Sequence, residues 1–139
     1  MFDRHYDHWQ DLSAALDHWP WSNFNLETEI ACRDGTAMVN EYAMDRLQWL
    51  RDALGEPMHV NSAYRSPSYN DSVDGSTGSK HMEALAFDIS MANHDPHVFE
   101  AAARRNGFTG FGFYPASGFM HIDIAKPRWW GTRWEPTHE

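Results

Sequence analysis

The sequence predicts an α+β fold in which a small antiparallel sheet carries helices packed on one side. Three observations indicate this class: helical periodicity over 36–54, a helix start at Asp95-Pro96, and two apolar segments, 108–114 and 119–124, joined by a turn. The chain has 139 residues, which is the length of one domain. We therefore expect a single domain over 1–139 with one hydrophobic core.

The first predicted elements are an N-terminal segment and a core helix. Residues 1–23 mix aromatic and acidic side chains, and we expect a helix or arm that precedes the main region, 24–131. Within 36–54, apolar residues recur at spacings of four, four, three and four, which predicts an amphipathic helix: Val39, Ala43, Leu47, Leu50 and Leu54. Gly55 is suited to end this helix.

The central elements are two strands and a second helix. Met58–Ala63 predicts a strand, and the Ser-, Asn- and Asp-rich stretch 65–75 predicts a polar loop that begins with Arg65. Ala84–Ser90 is typical of a buried strand. A helix should then run from Asp95-Pro96 to Asn106 and stop at Gly107.

The last predicted element is a hairpin whose connection is Pro115-Ala116-Ser117-Gly118. Side chains alternate along a strand, so His121 and Asp123 share one face while their neighbours point into the core. Three tryptophans follow and either close the core, which we favour, or form a surface for stacking sugars: Trp129, Trp130 and Trp134.

Composition excludes several classes of partner. Twenty acidic against eleven basic residues give a net charge of -9, which repels phosphates and anionic membrane surfaces. No stretch approaches the ~20 apolar residues of a membrane span. We therefore expect a monomer without a nucleic-acid partner or stable membrane insertion.

Cys32 is the only cysteine, so no intrachain disulfide can form. The N-terminus lacks a signal-peptide pattern, which predicts synthesis in the cytoplasm.

The strongest chemical signal is a set of three metal-ligand side chains in two separate segments. His81 and Asp88 are seven residues apart, and His121 follows in the hairpin. Three such ligands leave one position of a zinc ion open, which is typical of a catalytic site, where zinc makes water acidic enough to attack an amide. We expect one zinc ion, although iron, cobalt and manganese also suit these ligands.

Further motifs surround the ligands: Asn61-Ser62-Ala63-Tyr64-Arg65-Ser66, Val73-Asp74-Gly75-Ser76, Ser79-Lys80-His81 and Gly110-Phe111-Gly112-Phe113-Tyr114-Pro115. In this order they resemble the M15 family of zinc peptidases, specifically the small peptidoglycan-cleaving branch related to D-Ala-D-Ala carboxypeptidases and phage endolysins. The resemblance covers 24–131. It implies a Hedgehog/D-Ala-D-Ala peptidase-like fold, with His81, Asp88 and His121 as zinc ligands.

The resemblance also implies roles for the residues around the ligands. Arg65 matches the arginine of the Ser-x-Tyr-Arg-Ser motif and is expected to stabilise the oxyanion. Relatives commonly place a Glu three residues, or a His two residues, before the last His, but Gly118 and Phe119 stand there. Asp123 is then the first candidate for the catalytic base, and Glu83 is a weaker one. Asp123 could equally orient a His ligand.

Four remaining expectations concern individual residues. Ser79 and Tyr64 are expected to bind substrate, although Ser79 could instead hydrogen-bond the site loop. Ala84 stands where relatives have glycine, which would strain the backbone if its φ angle is positive. A Ser or Cys hydrolase is not expected, because no triad is placed. The other histidines are expected to be solvated: His5, His8, His18, His59, His94, His97 and His138.

These features together predict a zinc peptidase that hydrolyses peptide bonds in peptidoglycan stem peptides. The resemblance favours a phage or prophage lysis enzyme that reaches the cell wall through a holin or with a phage tail. The alternative is a non-catalytic zinc-binding virion or tail module that keeps the fold. The sequence leaves open whether the enzyme is a carboxypeptidase or an endopeptidase.

Overall fold

The computed structural model describes residues 4–136. Its helices are α1 (Trp9–Ala15), α2 (Glu41–Leu54), α3 (Pro67–Ser72) and α4 (Pro96–Arg105). Its strands are β1 (Val60–Ser62), β2 (Ala86–Ser90), β3 (Gly110–Tyr114), β4 (Phe119–Asp123) and β5 (Arg128–Gly131). A π-helical turn covers Leu26–Ile30, and a 3₁₀ turn covers Lys80–Glu83. The predicted α+β class is confirmed.

The five strands form one mixed sheet in the order β1-β2-β4-β3-β5. The first three pairings are antiparallel, but β5 runs parallel to β3. A purely antiparallel sheet was therefore the wrong expectation. The reason is topological: residues 124–127 reverse the chain after β4, so β5 runs opposite to β4 and pairs with the free edge of β3.

The core lies on one face of this sheet, where the sheet packs with α2 and α4. Alternate strand residues point into it and are almost fully buried: Phe87, Ile89, Phe111, Phe113, Met120 and Ile122. The buried face of α2 supplies Ala43, Met44, Leu47 and Leu50. The residues between these strand positions face the opposite side, which leaves that side for a site.

Capping side chains define the helix ends. The core helix begins at Glu41 and not near Thr36, because the Asn40 side chain accepts a hydrogen bond from the Ala43 N–H and so caps the helix. Its end at Gly55, in the left-handed region at φ 66°, agrees with the prediction. Helix α4 starts as expected, with Asp95 as its N-cap.

One segment differs from the sequence-based expectation, and a second contains a helix, which was one of its two expected forms. The predicted polar loop contains α3, which Ser66 caps and Pro67 opens. The N-terminal segment contains α1, and its side chains belong to the main core: Leu12, Leu16 and Trp21 are buried there. Residues 1–3 of that segment lie outside the described part of the chain. Among residues 4–136, none of the helices has the length and apolar character needed to cross a membrane.

Candidate metal centre

Three separate elements bring the predicted ligands together. His81 lies in the 3₁₀ turn, which Ser79 caps by accepting a hydrogen bond from the His81 N–H. Asp88 is in the middle of β2, directly opposite His121 of β4 in the antiparallel register. All three side chains are buried, with 3%, 6% and 7% of their residue surface exposed.

The ligand atoms converge on one point. The Oδ1 atom of Asp88 lies 3.2 Å from Nε2 of His81 and 3.1 Å from Nδ1 of His121. One ligand atom from each residue lies within 4.8 Å of the other two. Among residues 4–136, this is the one group of three or more His, Cys, Asp or Glu side chains with such spacing.

In each histidine, the ring nitrogen that faces away from Asp88 makes a hydrogen bond that shows where the proton lies. Nδ1 of His81 lies 2.6 Å from the Ala63 carbonyl oxygen, which can only accept, so Nδ1 carries the proton. In the same way, Nε2 of His121 donates to Oδ2 of Asp123 at 2.7 Å. Two imidazole lone pairs and a carboxylate oxygen therefore point at each other. Such an arrangement needs positive charge between the three groups, which protons or a metal ion can supply, and these three residues fit one zinc ion.

Without a metal, protons on the two inner nitrogens take the place of the ion, and both histidines then donate to Asp88. Burial alone would raise the pKa of Asp88, but hydrogen bonds from His121 and His81 lower it well below its usual range. Burial alone would lower the pKa of His121, but hydrogen bonds to Asp123 and Asp88 raise it. The centre thus keeps its carboxylate charged and attracts positive charge.

Asp123 is fully buried behind His121. Its Oδ1 and Oδ2 atoms accept hydrogen bonds from both terminal nitrogens of Arg128, at 2.8 and 2.7 Å, and Oδ1 also accepts from the Ala125 N–H. Burial would raise the pKa of Asp123, but the bonds from His121 and Arg128 lower it well below its usual range. This geometry favours a role in orienting His121 and does not place the carboxylate in the cleft as a base.

Arg65 lies at the edge of the centre. Its Nη2 atom is 3.5 Å from Oδ2 of Asp88, and its other nitrogens donate to Ser62 Oγ and Asn70 Oδ1, both at 3.2 Å. Asn70 is 3% exposed, and its side-chain N–H₂ donates to the Ser76 carbonyl oxygen. Asn70 therefore joins Arg65 to the following loop, a role that sequence reasoning missed.

The centre opens into a cleft of about 780 Å³. One wall is polar and comes from the loop after α3 and the 3₁₀ turn; it includes Ser76, Ser79 and Lys80. The other wall is aromatic: Tyr114, Phe119 and Trp130. Trp130 donates its indole N–H to the Tyr114 hydroxyl at 2.6 Å, and its ring lies 4.9 Å from the His121 ring.

The three C-terminal tryptophans therefore have different environments. Trp130 lines the cleft, which the favoured packing hypothesis did not anticipate. Trp134 packs against the core, whereas Trp129 is 54% exposed. Trp129 and Trp130 differ because both lie on strand β5, where neighbouring side chains alternate between the two faces of the sheet.

The structure does not bring every predicted site residue to the cleft. Ser79 lines it, but Tyr64 is 4% exposed and its hydroxyl bonds to Nδ1 of His5 at 2.8 Å. Burial, with the nearby Cys32 and Asp34, raises the pKa of Tyr64 to about 12. Glu83 pairs with Lys80 at 3.0 Å. Substrate contact by Tyr64 therefore has no support from the geometry.

Two other expectations need correction or completion. Ala84 does adopt a positive φ of 60°, so it carries the strain that glycine would avoid. The expectation that His94 is solvated was wrong: its side chain is 1% exposed and packs on the Phe99 ring near Glu56. Burial lowers the pKa of His94. His138 lies outside the described residues.

Comparison with known proteins agrees with this arrangement. A family model described as Peptidase M15 matches residues 22–123. The chain is 33% identical over 100 residues to the zinc D-Ala-D-Ala carboxypeptidase of Streptomyces albus G. That match covers 68% of this chain and 39% of the relative, so the chain spans about two fifths of the length of the curated relative. The family match includes all three ligands and ends at Asp123, before β5.

Proposed function

The chain belongs to the M15 peptidase family, and we propose that it uses one zinc ion to hydrolyse peptide bonds in peptidoglycan stem peptides. The supporting observation is the convergence of His81, Asp88 and His121 in a cleft that also contains Arg65. The cleft volume of about 780 Å³ is suited to a short peptide. The Streptomyces albus G relative is named as a zinc D-Ala-D-Ala carboxypeptidase.

When bound, zinc would supply Lewis acidity, which polarises a carbonyl group and lowers the pKa of water. His81, Asp88 and His121 would hold the ion. The Ala63 carbonyl and the Asp123 carboxylate keep the outer ring protons in place, at Nδ1 of His81 and Nε2 of His121. Both inner nitrogens therefore remain free to bind metal.

Arg65 is proposed to stabilise the negative charge that develops on the substrate carbonyl oxygen. Hydrogen bonds to Ser62 and Asn70 fix the orientation of its guanidinium. A fixed cation at this point acts in the transition state more strongly than in the ground state, because the charge on the oxygen is larger there.

The two cleft walls are proposed to hold the substrate. Ser79 and Lys80 offer a hydroxyl and a cation to the amide and carboxylate groups of a stem peptide, and the aromatic wall contacts its methyl groups. Three cationic side chains line the cleft although the whole chain has a net charge of -9: Arg65, Lys80 and Arg128.

We further propose that the enzyme acts at the bacterial cell wall in phage or prophage lysis. The support is the resemblance of its motifs to the endolysin branch of the family. Expression in a bacterial host with and without a holin tests this role: lysis should require both the holin and intact metal ligands. Lysis by a His121→Ala variant would contradict the role.

Release of new amino groups from purified peptidoglycan tests the proposed reaction. The zinc-loaded protein should release them, whereas chelated protein and His121→Ala should not. Mass spectrometry of the products then separates two modes: free alanine indicates a carboxypeptidase, and longer peptides indicate an endopeptidase. Absence of any product from zinc-loaded protein would contradict the proposal.

A second candidate is a non-catalytic zinc-binding virion or tail module. One observation favours it: within residues 4–136, the cleft offers few carboxylates that could act as the catalytic base. The acidic side chains that line it are Asp74 and the ligand Asp88, while Asp123 is buried behind His121. Binding of one zinc equivalent without cleavage of any wall peptide would support the module. Cleavage that is lost in Asp74→Asn with unchanged zinc affinity would instead identify Asp74 as the proton acceptor.

A further inference from the structure

Strand β5 reaches the metal centre although it is not adjacent to either ligand strand. It pairs with β3, and β3 separates it from β4. In the register, Arg128 lies beside Gly110 and Trp130 beside Gly112. Both β5 residues follow the end of the region that the family model matches. The family match therefore gives no role to Arg128 or Trp130, and their role is inferred from their contacts.

The two glycines of β3 allow side chains from β5 to pass over that strand. A Cβ atom on Gly110 would lie 2.1 Å from both Asp123 Oδ1 and Arg128 Nη1. A Cβ atom on Gly112 would lie 2.7 Å from the indole ring of Trp130. Any larger residue at either position would therefore block the path from β5 to β4.

The two side chains that cross β3 are those of Arg128 and Trp130. Each contacts either His121 or its hydrogen-bond partner, Asp123. Arg128 holds both oxygens of Asp123, at 2.8 and 2.7 Å, and Asp123 in turn accepts from Nε2 of His121. Such a bidentate pair fixes the plane of the carboxylate as well as its position. The Trp130 ring packs against the His121 ring, with 4.9 Å between ring centroids.

We propose that β5 is a working part of the metal centre, in which Arg128 and Trp130 are positioning residues for His121. Arg128 fixes Asp123, and Asp123 fixes the nitrogen that His121 turns toward the metal. Trp130 restrains the plane of the same ring. The proposal concerns metal binding alone and does not depend on the identity of the substrate.

The direction in which zinc affinity changes after loss of Arg128 distinguishes a positioning role from a purely Coulombic one. Removing a cation close to a divalent metal site should tighten zinc binding, because a repulsive charge is lost. Removing a positioning contact should weaken zinc binding, because the ligand then explores unproductive orientations. A weaker affinity after loss of Arg128 would therefore have the opposite sign from the Coulombic effect.

The test is zinc affinity, measured by competition with a chromogenic chelator. Arg128→Met should bind zinc at least about 10-fold more weakly than wild type. Arg128→Lys keeps the charge but cannot form the bidentate pair, so it should also bind more weakly. Arg133→Met is the matched control, since Arg133 is in the same segment and pairs with Glu100. Equal or tighter binding by Arg128→Met, compared with this control, would overturn the proposal.

A comparison in the Asp123→Asn background keeps the proposal testable if Arg128→Met alone fails to fold. Asp123→Asn/Arg128→Met carries no unpaired buried charge, and the loss of Arg128 should have no further effect on zinc affinity in the Asp123→Asn background. A further loss of zinc affinity when Arg128→Met is added to Asp123→Asn would refute a pathway through Asp123. Trp130→Leu should weaken zinc binding more than Trp129→Leu, its neighbour on the opposite face. Equal effects would remove Trp130 from the proposal.

Discussion

The metal centre depends on hydrogen-bond partners as much as on its three ligands. One partner is a backbone carbonyl, of Ala63, which holds His81. The other is the side chain of Asp123, which holds His121 and is held by Arg128. The backbone partner is insensitive to substitution, whereas the side-chain partner is open to mutation. Substitutions on the His121 side of the centre therefore give the best test of how hydrogen-bond partners hold the ligands.

Replacing Asp123 distinguishes ligand orientation from base catalysis. Asp123→Asn should lower zinc affinity by roughly 10- to 100-fold, because the amide no longer fixes the His121 tautomer. At saturating zinc, much of the turnover should remain. Zinc competition and kcat at saturating metal measure the two effects separately. Unchanged zinc affinity with loss of turnover would instead make Asp123 the base.

Arg65 offers a test of transition-state stabilisation. Arg65→Lys should lower kcat by about 10²- to 10³-fold with a small effect on KM, because the guanidinium contacts to Ser62 and Asn70 fix its position. Steady-state kinetics on a stem peptide provide the measurement. Arg105→Lys, at an exposed position on α4, is the control. A change in KM alone would assign Arg65 to ground-state binding.

At the scale of elements, sequence reasoning found the parts whose patterns are local. Helix α2 has apolar spacing and a terminal glycine, and the β3–β4 hairpin has alternation and a turn. Helix α3 was missed because its six residues show no apolar periodicity, and its Ser66-Pro67 start is a weak signal. Strand β5 was missed because four residues rich in Trp and Arg show no alternation that separates strand from loop. The pairing of Asp123 with Arg128 was not foreseen for the same reason, since Arg128 lies on β5.

The link between Asp34 and α3 predicts a pH effect on stability. Asp34 accepts hydrogen bonds from Ser66 Oγ at 2.6 Å and from the Thr36 N–H. Burial alone would raise the pKa of Asp34, but these bonds lower it from 3.8 to about 2. A lowered folded-state pKa means that the contribution is present above pH about 4 and is lost as the pH falls toward 2.

Asp34→Asn should therefore lower the free energy of unfolding by about 1 kcal/mol at neutral pH, the value for a partly exposed hydrogen bond. The difference from wild type should shrink as the pH falls from about 4 to about 2. Urea unfolding at several pH values measures it, with Asp17→Asn at an exposed position as control. A difference that persists at pH 2 would contradict the role of the charged carboxylate.

The glycines of β3 predict an effect on the whole β3–β5 pair. Gly112→Ala places a methyl group 2.7 Å from the Trp130 ring and should destabilise the protein by about 1–3 kcal/mol. Gly78→Ala has open space at its Cβ and should be close to neutral. Thermal or urea unfolding compares the two variants. Equal stabilities would mean that Trp130 does not pack over β3.

At the scale of the molecule, one small sheet separates two functions. One face packs the core with α2 and α4, and the other carries the buried ligands. The same alternation along β4 sends Met120 and Ile122 to the core and His121 and Asp123 to the site. Stability and metal binding are therefore linked through the strands that they share.

Zinc should stabilise the folded protein, because the unfolded chain does not hold the three ligands together. At a zinc concentration 100 times Kd, the free energy of unfolding should rise by about 2.7 kcal/mol. For a domain of this size that corresponds to a Tm increase of roughly 10 °C. Calorimetry with zinc or chelator measures the change. A similar increase in His121→Ala would place the zinc elsewhere.

A zinc titration of metal-free protein, with hydrolysis of a stem pentapeptide followed in the same samples, tests whether the bound ion is required for cleavage. Turnover should rise linearly with added zinc and stop rising at one equivalent. His81→Ala, Asp88→Ala and His121→Ala should show no such rise. Turnover without zinc, or one bound equivalent with no cleavage, would contradict the assignment of a zinc peptidase acting on peptidoglycan peptides.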